Sequence, residues 1–162
     1  MLRRHLARSL ALIVPVVLLA PAARAMAPGA RAGWIVLPSK HRFDTLFERL
    51  HAAVEANSMA VVTAASASEG AKAQGITIPG NRVVGVFRND FARRMLAASI
   101  AAGIEAPIRF YLTENPDGTG TLSYRTPSAV FAPYADEGGT ALKALAGELD
   151  AMFERIARAA VA

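Results

Sequence analysis

Residues 82–134 limit the possible folds of this chain more than any other stretch, because they encode a strand, a helix and a hairpin in a fixed order. Asn115-Pro116-Asp117-Gly118 has Pro second and Gly fourth, which predicts a type I turn. Apolar and polar residues alternate on both sides of this turn, so we predict an antiparallel β-hairpin. An apolar run at 83–87 predicts an earlier strand. The helix between them has its apolar stripe on Phe91, Met95, Ala98 and Ala102.

The chain outside this stretch predicts two further strands and three helices. Residues 34–37 and 59–65 have strand composition, and Pro38 either ends the first strand or places it near an edge. Ser66-Ala67-Ser68-Glu69 fits a capping box, which predicts a short helix that ends at Gly75. Two longer helices have apolar residues at helical spacing. Their stripes are Phe43, Leu46, Phe47, Leu50 and Val54, and then Leu142, Leu145, Leu149, Met152, Phe153 and Ile156.

This order of elements predicts an α+β fold. We expect a single sheet of about five strands, with helices packed mainly on one face and a long helix at the C-terminus. Polar side chains alternate with apolar ones in the hairpin, so the other face of the sheet is expected to be at least partly open. An open face of this kind is where a ligand or a partner would bind.

The N-terminus has the three parts of a secretory signal peptide. A basic region is followed by an apolar run at 9–20, and Ala23-Arg24-Ala25 fits a signal-peptidase site. The apolar run is too short for a permanent anchor, so we predict cleavage after Ala25, no permanent membrane span afterwards, and a periplasmic or secreted protein. We divide the chain into a signal peptide (1–25), a linker (26–33) and a single α+β domain (34–160).

Removing this leader changes the charge of the chain. Lys and Arg number 18 and Asp and Glu number 13, which gives +5 for the whole sequence. Four of the basic residues precede Met26 and all acidic residues follow it, so the mature chain carries 14 minus 13, or +1. This near-neutral balance gives no indication of nucleic-acid binding. The absence of cysteine excludes disulfides, thiolate metal sites and a cysteine nucleophile.

Several short motifs follow one another in an order that resembles a known family. They are Val83 to Phe87, Phe87-Arg88-Asn89-Asp90, Met95-Leu96, Ala106-Pro107-Ile108 and Tyr124-Arg125-Thr126-Pro127. The chain thereby resembles the domain of unknown function 302 family, whose pattern is an apolar strand, Phe-Gly-Asn-Pro, a helix, a Leu-Pro-like break and a hairpin ending in Tyr-x-x-Pro. Arg88 stands where the family usually has Gly, and Asp90 where it has Pro. The resemblance implies an α+β architecture and no established activity.

Arg88, Asn89, Tyr124 and Arg125 form the constellation that we predict to bind a ligand. Two arginines and an amide near strand ends, beside a helix N-terminus, can receive a carboxylate or a phosphate. The structural alternative is that Asn89 caps a helix, Tyr124 packs its ring, and the arginines are solvated. The partner predicted by the first interpretation is a small anionic ligand or a protein.

Catalytic candidates are few. His41 could act as a general base oriented by Asp44, and His51 lies between Glu48 and Glu55 at helical spacing. No nucleophile elbow, phosphate-binding loop, dinucleotide fingerprint or zinc-protease motif is present, and we predict no metal and no cofactor. An exported, non-catalytic binding or interaction module is therefore favoured. The alternative is a small periplasmic hydrolase or isomerase that uses His41/Asp44 or His51/Glu48. Homodimerisation through an unpaired sheet edge is a third possibility.

Overall fold

The computed structural model describes residues 28–162, so the predicted signal peptide lies outside the described residues. Five strands form one sheet, and every neighbouring pair is antiparallel. The strands are β1 (Trp34–Arg42), β2 (Ala60–Ala65), β3 (Asn81–Phe87), β4 (Ile108–Glu114) and β5 (Thr119–Arg125). The helices are α1 (Phe43–Ala56), α2 (Ala67–Lys72), α3 (Asn89–Ala98), α4 (Pro127–Phe131) and α5 (Ala135–Val161). In the sheet the order is β1-β5-β4-β3-β2.

This architecture confirms the predicted α+β fold, with a five-stranded sheet and a long C-terminal helix. The first strand passes through Pro38 and continues to Arg42, because β1 is an edge strand and one of its sides needs no ladder hydrogen bond. The last helix begins at Ala135, before the predicted start at Thr140. Its backbone is not helical at Gly139, where φ is 54° and ψ is −146°, so the predicted break lies inside it.

The hairpin between β4 and β5 has the predicted turn. Gly118 donates its backbone N–H to the carbonyl of Asn115 at 2.8 Å, and Asn115 donates to the carbonyl of Thr119 at 2.8 Å. The φ angle of Gly118 is +79°, a conformation that favours glycine. Asp117 accepts a hydrogen bond from the backbone N–H of Thr119 at 2.9 Å. The turn therefore sets the register in which the two strands pair.

The core lies between the sheet and the helices. Phe153 of α5 stacks on Phe110 of β4 with ring centroids 4.6 Å apart, and Tyr124 of β5 contacts both rings. Leu46 and Leu50 of α1 are fully buried beside them. The apolar residues of β3, β4 and β5 that face this layer are Val84, Val86, Ile108, Phe110, Leu112, Leu122 and Tyr124, all buried. The opposite face of the sheet carries polar and amphipathic side chains together with the exposed Val83.

Three short helical segments were not predicted from the sequence. They are the 3-10 helices Ala101–Glu105 and Ala132–Tyr134, and α4 between them. Each is too short to show a helical period, so hydrophobic spacing does not reveal it. The sequence does contain a local signal for α4, which is a Thr-Pro pair at 126–127. In the structure Thr126 accepts a hydrogen bond from the N–H of Ala129, and Pro127 occupies the first helical position.

Gly85 in the middle of β3 provides a test of this packing. A Cβ atom at this position would come within 2.8 Å of the Pro107 ring and would also meet the Thr63 hydroxyl. We expect Gly85→Ala to lower the free energy of unfolding by about 1–3 kcal/mol, the usual cost of overpacking. Gly147→Ala in α5 is the matched control, since a Cβ atom added there would have no neighbouring atom within 4 Å. It should stabilise the protein by roughly 0.5–1 kcal/mol. Urea unfolding measures both changes, and equal stabilities of the two variants would contradict the packing described.

Candidate functional site

A groove crosses the sheet face that is opposite the core. Its volume is about 730 Å³, and its lining is mostly apolar. Trp34 of β1, Tyr111 of β4 and Val83 of β3 provide apolar surface, while Arg109 of β4 and Arg125 of β5 provide positive charge. Ser66 and Ala67, at the start of α2, close one end. We call this feature the open-face groove.

The strand register places the two arginines side by side. Tyr111 pairs with Ser123, and Phe110 pairs with Tyr124. Extending this register by one residue sets Arg109 opposite Arg125. Like charges that lie directly opposite one another on two strands destabilise a sheet. Trp34 pairs with Arg125 from the other side, so an aromatic ring flanks the arginine pair.

The surroundings of these arginines leave their charge largely uncompensated. Arg125 donates to the backbone carbonyl of Ala129 at 3.0 Å, and within residues 28–162 no carboxylate lies within 4.0 Å of its guanidinium. Arg109 has Glu105 at 4.0 Å, with the arginine side chain 60% exposed. The other oxygen of Glu105 accepts a hydrogen bond from the Tyr134 hydroxyl at 2.9 Å, which raises the pKa of Tyr134. The groove therefore carries a net positive charge at this end.

Hydroxyl groups lie on the same sheet face beneath and beside the groove. Ser123 is fully buried and donates to the Tyr111 carbonyl at 3.3 Å. Thr113 is also buried, and its Oγ1 has no hydrogen-bond partner among the described residues. Ser66, in the groove lining, is the N-cap of α2 and accepts a hydrogen bond from the N–H of Glu69 at 3.1 Å. Its hydroxyl is therefore engaged in the helix cap.

The structure separates the four residues that the sequence predicted to bind a ligand. Tyr124 and Arg125 both border the open-face groove, whereas Arg88 and Asn89 do not line it. The ring of Tyr124 packs into the core and only 3% of the residue is exposed, and this burial raises the pKa of its hydroxyl. Arg125 faces the other side of the sheet. Ligand binding by these four residues stays a prediction.

The guanidinium of Arg88 already has partners within the protein. Its Nε donates to Asp90 Oδ1 at 2.7 Å and its Nη2 donates to Oδ2 at 3.0 Å. The guanidinium lies 4.1 Å from the centre of the Phe91 ring and contacts the sulfur of Met152 at 3.9 Å. Arg88 takes the N-cap position of α3 without a side-chain cap, and Asn89 is already helical. The prediction that Asn89 caps this helix is therefore wrong by one residue, because the bidentate Arg88–Asp90 pair organises the first turn instead.

The two histidines in the described part of the chain lie apart from the groove. His41, near the end of β1, is half-buried, and its Nε2 has no hydrogen-bond partner among the described residues. Asp44 is exposed in the first turn of α1 and has no hydrogen bond or ion pair with His41 in the described part of the chain. His51 is 45% exposed and lies 3.4 Å from Glu55. Glu48 is exposed on the same helix. Catalysis by either histidine stays a hypothesis.

The sequence patterns do not identify Trp34, Arg109 and Tyr111 as members of one site. The alternation in the hairpin predicts Arg109 and Tyr111 on its polar face, but the position of Trp34 beside Arg125 depends on β1 pairing with β5. Pairing between strands so distant in the sequence leaves no local signal. The alternation of residues 109, 111, 123 and 125 was the signal that located the face.

Comparisons with known proteins identify relatives of the same fold. The model of the family described as "Domain of unknown function DUF302" matches residues 35–160. The crystal structure of an uncharacterized conserved protein DUF302 from Bacillus stearothermophilus is similar, with a TM-score of 0.70 and 16% sequence identity over 80% of this chain and 98% of that chain. No curated protein matches this sequence. Among residues 28–162, none of the helices has the length and apolar character needed to cross a membrane.

The Arg88–Asp90 pair gives a pH-dependent prediction. The hydrogen bonds from Arg88 hold the pKa of Asp90 below its ordinary value of 3.8. Because the folded-state pKa is the lower one, the pair stabilises the protein above pH 3.8, and this contribution is lost as the pH falls through the folded-state pKa. We expect Asp90→Asn to cost about 0.5 kcal/mol at pH 7, since the pair is half exposed, and to cost nothing in strong acid.

Asp136→Asn is the matched control for this experiment. Asp136 also lies in the first turn of a helix, but it has no ion pair among the described residues. Urea unfolding at several pH values measures both variants. A loss at pH 7 that is the same for both would mean that the helix end, and not Arg88, provides the stabilisation.

Proposed function

Because this chain belongs to the Domain of unknown function DUF302 family, whose name assigns no activity, we propose its function from the open-face groove. The protein is an exported, non-catalytic binding module that holds a small amphipathic anion in this groove. The anionic group binds between Arg109 and Arg125, and the apolar body of the ligand covers Trp34, Tyr111 and Val83.

The observation that carries this proposal is the opposed pair of exposed arginines on the sheet face that lies opposite the core. Two cations at neighbouring cross-strand positions repel one another, and a carboxylate or phosphate between them converts that repulsion into two attractions. Guanidinium groups present planar sets of donors that match these anions. Glu105 does not pair with both arginines: it lies 4.0 Å from Arg109, accepts a hydrogen bond from Tyr134, and forms no ion pair within 4.0 Å of Arg125 in the described part of the chain.

The apolar part of the groove supports a ligand that is more than a simple ion. Val83 is exposed although β3 is not an edge strand, and Trp34 of β1 is half-buried on the other side of the same lining. The volume of about 730 Å³ falls within the range of roughly 300–1,000 Å³ that is usual for small-molecule sites. Covering these side chains would contribute through the hydrophobic effect.

The chemistry of the lining supports binding without catalysis. In the described chain, no histidine lines the groove, and Ser66 uses its hydroxyl for the cap of α2. A serine nucleophile needs a base within hydrogen-bonding reach, and this lining offers only Glu105, which is engaged by Tyr134. Export is supported by the leader sequence, with its basic start, apolar run and Ala23-Arg24-Ala25.

Trp34 provides a direct measurement of ligand binding, because it is the sole tryptophan of the chain and it lines the groove. We expect decanoate, used as a probe, to change its fluorescence in a saturable titration, and decyltrimethylammonium to have no such effect. Replacing both groove arginines, Arg109→Gln with Arg125→Gln, should raise the Kd for decanoate by at least about tenfold, which corresponds to about 1.4 kcal/mol. The reason is the loss of two charge-assisted hydrogen bonds.

The matched control is Arg93→Gln with Arg155→Gln, which removes the same charge from exposed helix positions outside the groove. It should leave the Kd unchanged. Equal binding of the cationic probe, or an equal loss of affinity in both double variants, would reject the anion site.

Export has its own test. We expect the protein recovered from the periplasmic fraction of bacterial cells to begin at Met26, as determined by intact-mass measurement. Ala25→Arg should block processing, because the residue before the cleaved bond must be small. Arg24→Lys, at the adjacent unconstrained position, should be processed normally. Full-length protein in the cytoplasmic fraction of wild-type cells would contradict export.

A further inference from the structure

The two edge strands of the sheet, β1 and β2, differ in how well they are protected against pairing with another strand. From this difference we propose that the free edge of β2 pairs antiparallel with β2 of a second copy of this chain. Of the residues of β2, only Ala65 also lines the open-face groove, and the proposal does not depend on the groove binding a ligand.

The edge formed by β2 carries neither charge nor proline, and its one protective feature is the irregularity at Val62. Its sequence is Ala-Val-Val-Thr-Ala-Ala, without charge or proline, and five of its six residues are exposed. Val62 is 49% exposed and lies at the one irregularity of the pairing with β3. Within residues 28–162, β3 is the only segment whose backbone bonds to β2. Its other side therefore presents unpaired backbone N–H and C=O groups, which act as a template for another strand.

The opposite edge, formed by β1, is protected in several ways. Pro38 lacks an N–H donor, the register shifts between Pro38 and Arg42, and Lys40 and Arg42 add exposed charge. These are the devices that prevent edge-to-edge association. Both edge strands have a register irregularity, but only β1 adds proline and charge, so β2 is the less protected edge.

Charge and symmetry favour a second copy as the occupant. Antiparallel pairing of two identical strands puts β2 across a two-fold axis, with Val62 and Thr63 near its centre. No like charges then face one another, since β2 has none, whereas self-pairing of β1 would bring Lys40 and Arg42 against the same residues of the second copy. Both strands also have the same length, so no backbone group of either strand is left without a partner by a difference in length.

The geometry has a consequence for the open face. A two-fold axis that relates antiparallel strands of one sheet runs perpendicular to that sheet. Ten strands would form a continuous sheet, with the helices of both copies on one side and both open-face grooves on the other. A six-residue ladder is about 20 Å long and gives a small interface, so we expect a dimer that dissociates on dilution.

Sedimentation velocity over a range of protein concentrations tests the proposal. Wild-type protein should shift from monomer to dimer as its concentration rises. Val62→Lys should remain monomeric over the same range, because it puts two ammonium groups close to the two-fold axis. The matched control, Ile100→Lys, changes another β-branched aliphatic residue that is 80% exposed but lies outside β2, and it should dimerise like the wild type. A monomeric wild type, a dimeric Val62→Lys protein or a monomeric Ile100→Lys protein would overturn the proposal.

A charge-swap mixture separates loss of pairing from loss of folding. Val62→Glu should also be monomeric, and an equimolar mixture of the Lys and Glu variants should form a heterodimer, because each charge then faces its opposite across the axis. Hydrogen exchange of the wild type needs no variant at all. The amides of residues 60–65 should exchange more slowly as the protein concentration rises, and exchange that is independent of concentration would exclude the β2 interface.

Discussion

The stacking of Phe153 on Phe110 is the contact on which the rest of this structure depends. It joins the long C-terminal helix to the central strand of the sheet and commits one face of that strand to the core. Side chains alternate along a strand, so a strand that buries Phe110 must turn Arg109 and Tyr111 to the other side. The same argument applies to Tyr124 and Arg125 on the neighbouring strand. The open-face groove is thus a geometric consequence of how the core is packed.

Local patterns in the sequence account for most of the fold. The hairpin turn at 115–118 and the apolar stripes of α1 and α5 depend on residues a few positions apart, and the structure confirms them. The pairing of β1 with β5 joins residues that are 77 (Arg42 and Thr119) to 91 (Trp34 and Arg125) positions apart, and no local pattern specifies it. Trp34 therefore could not be assigned to the candidate site, although Arg125 was. The short helices were missed for a different reason, since a segment of five residues or fewer contains too few turns to show a period.

The fates of Arg88 and Arg125 show why residue type alone does not define a site. Arg88 follows β3 and Arg125 ends β5, so sequence patterns alone do not distinguish their roles. Arg88 is saturated by the carboxylate of Asp90, the ring of Phe91 and the sulfur of Met152. A ligand would have to compete with these contacts, so the charge of Arg88 contributes mainly to the first turn of its helix. Arg125 has a backbone carbonyl as its protein partner and retains donors for a ligand.

The positive charge of the groove comes from where its charged residues lie and not from the net charge of the chain. Residues 26–162 carry 14 basic and 13 acidic residues, a net charge of only +1, which indicates no preference for an anionic ligand. At 4 Å, two unit charges interact by about 1 kcal/mol in bulk water and by about 4 kcal/mol near a protein surface. Beyond a Debye length of about 8 Å, salt removes most of this interaction. The charges that line the groove therefore act most strongly on its contents. Arg109 and Arg125 outnumber Glu105 there, and the resulting field attracts anions although the whole molecule is nearly neutral.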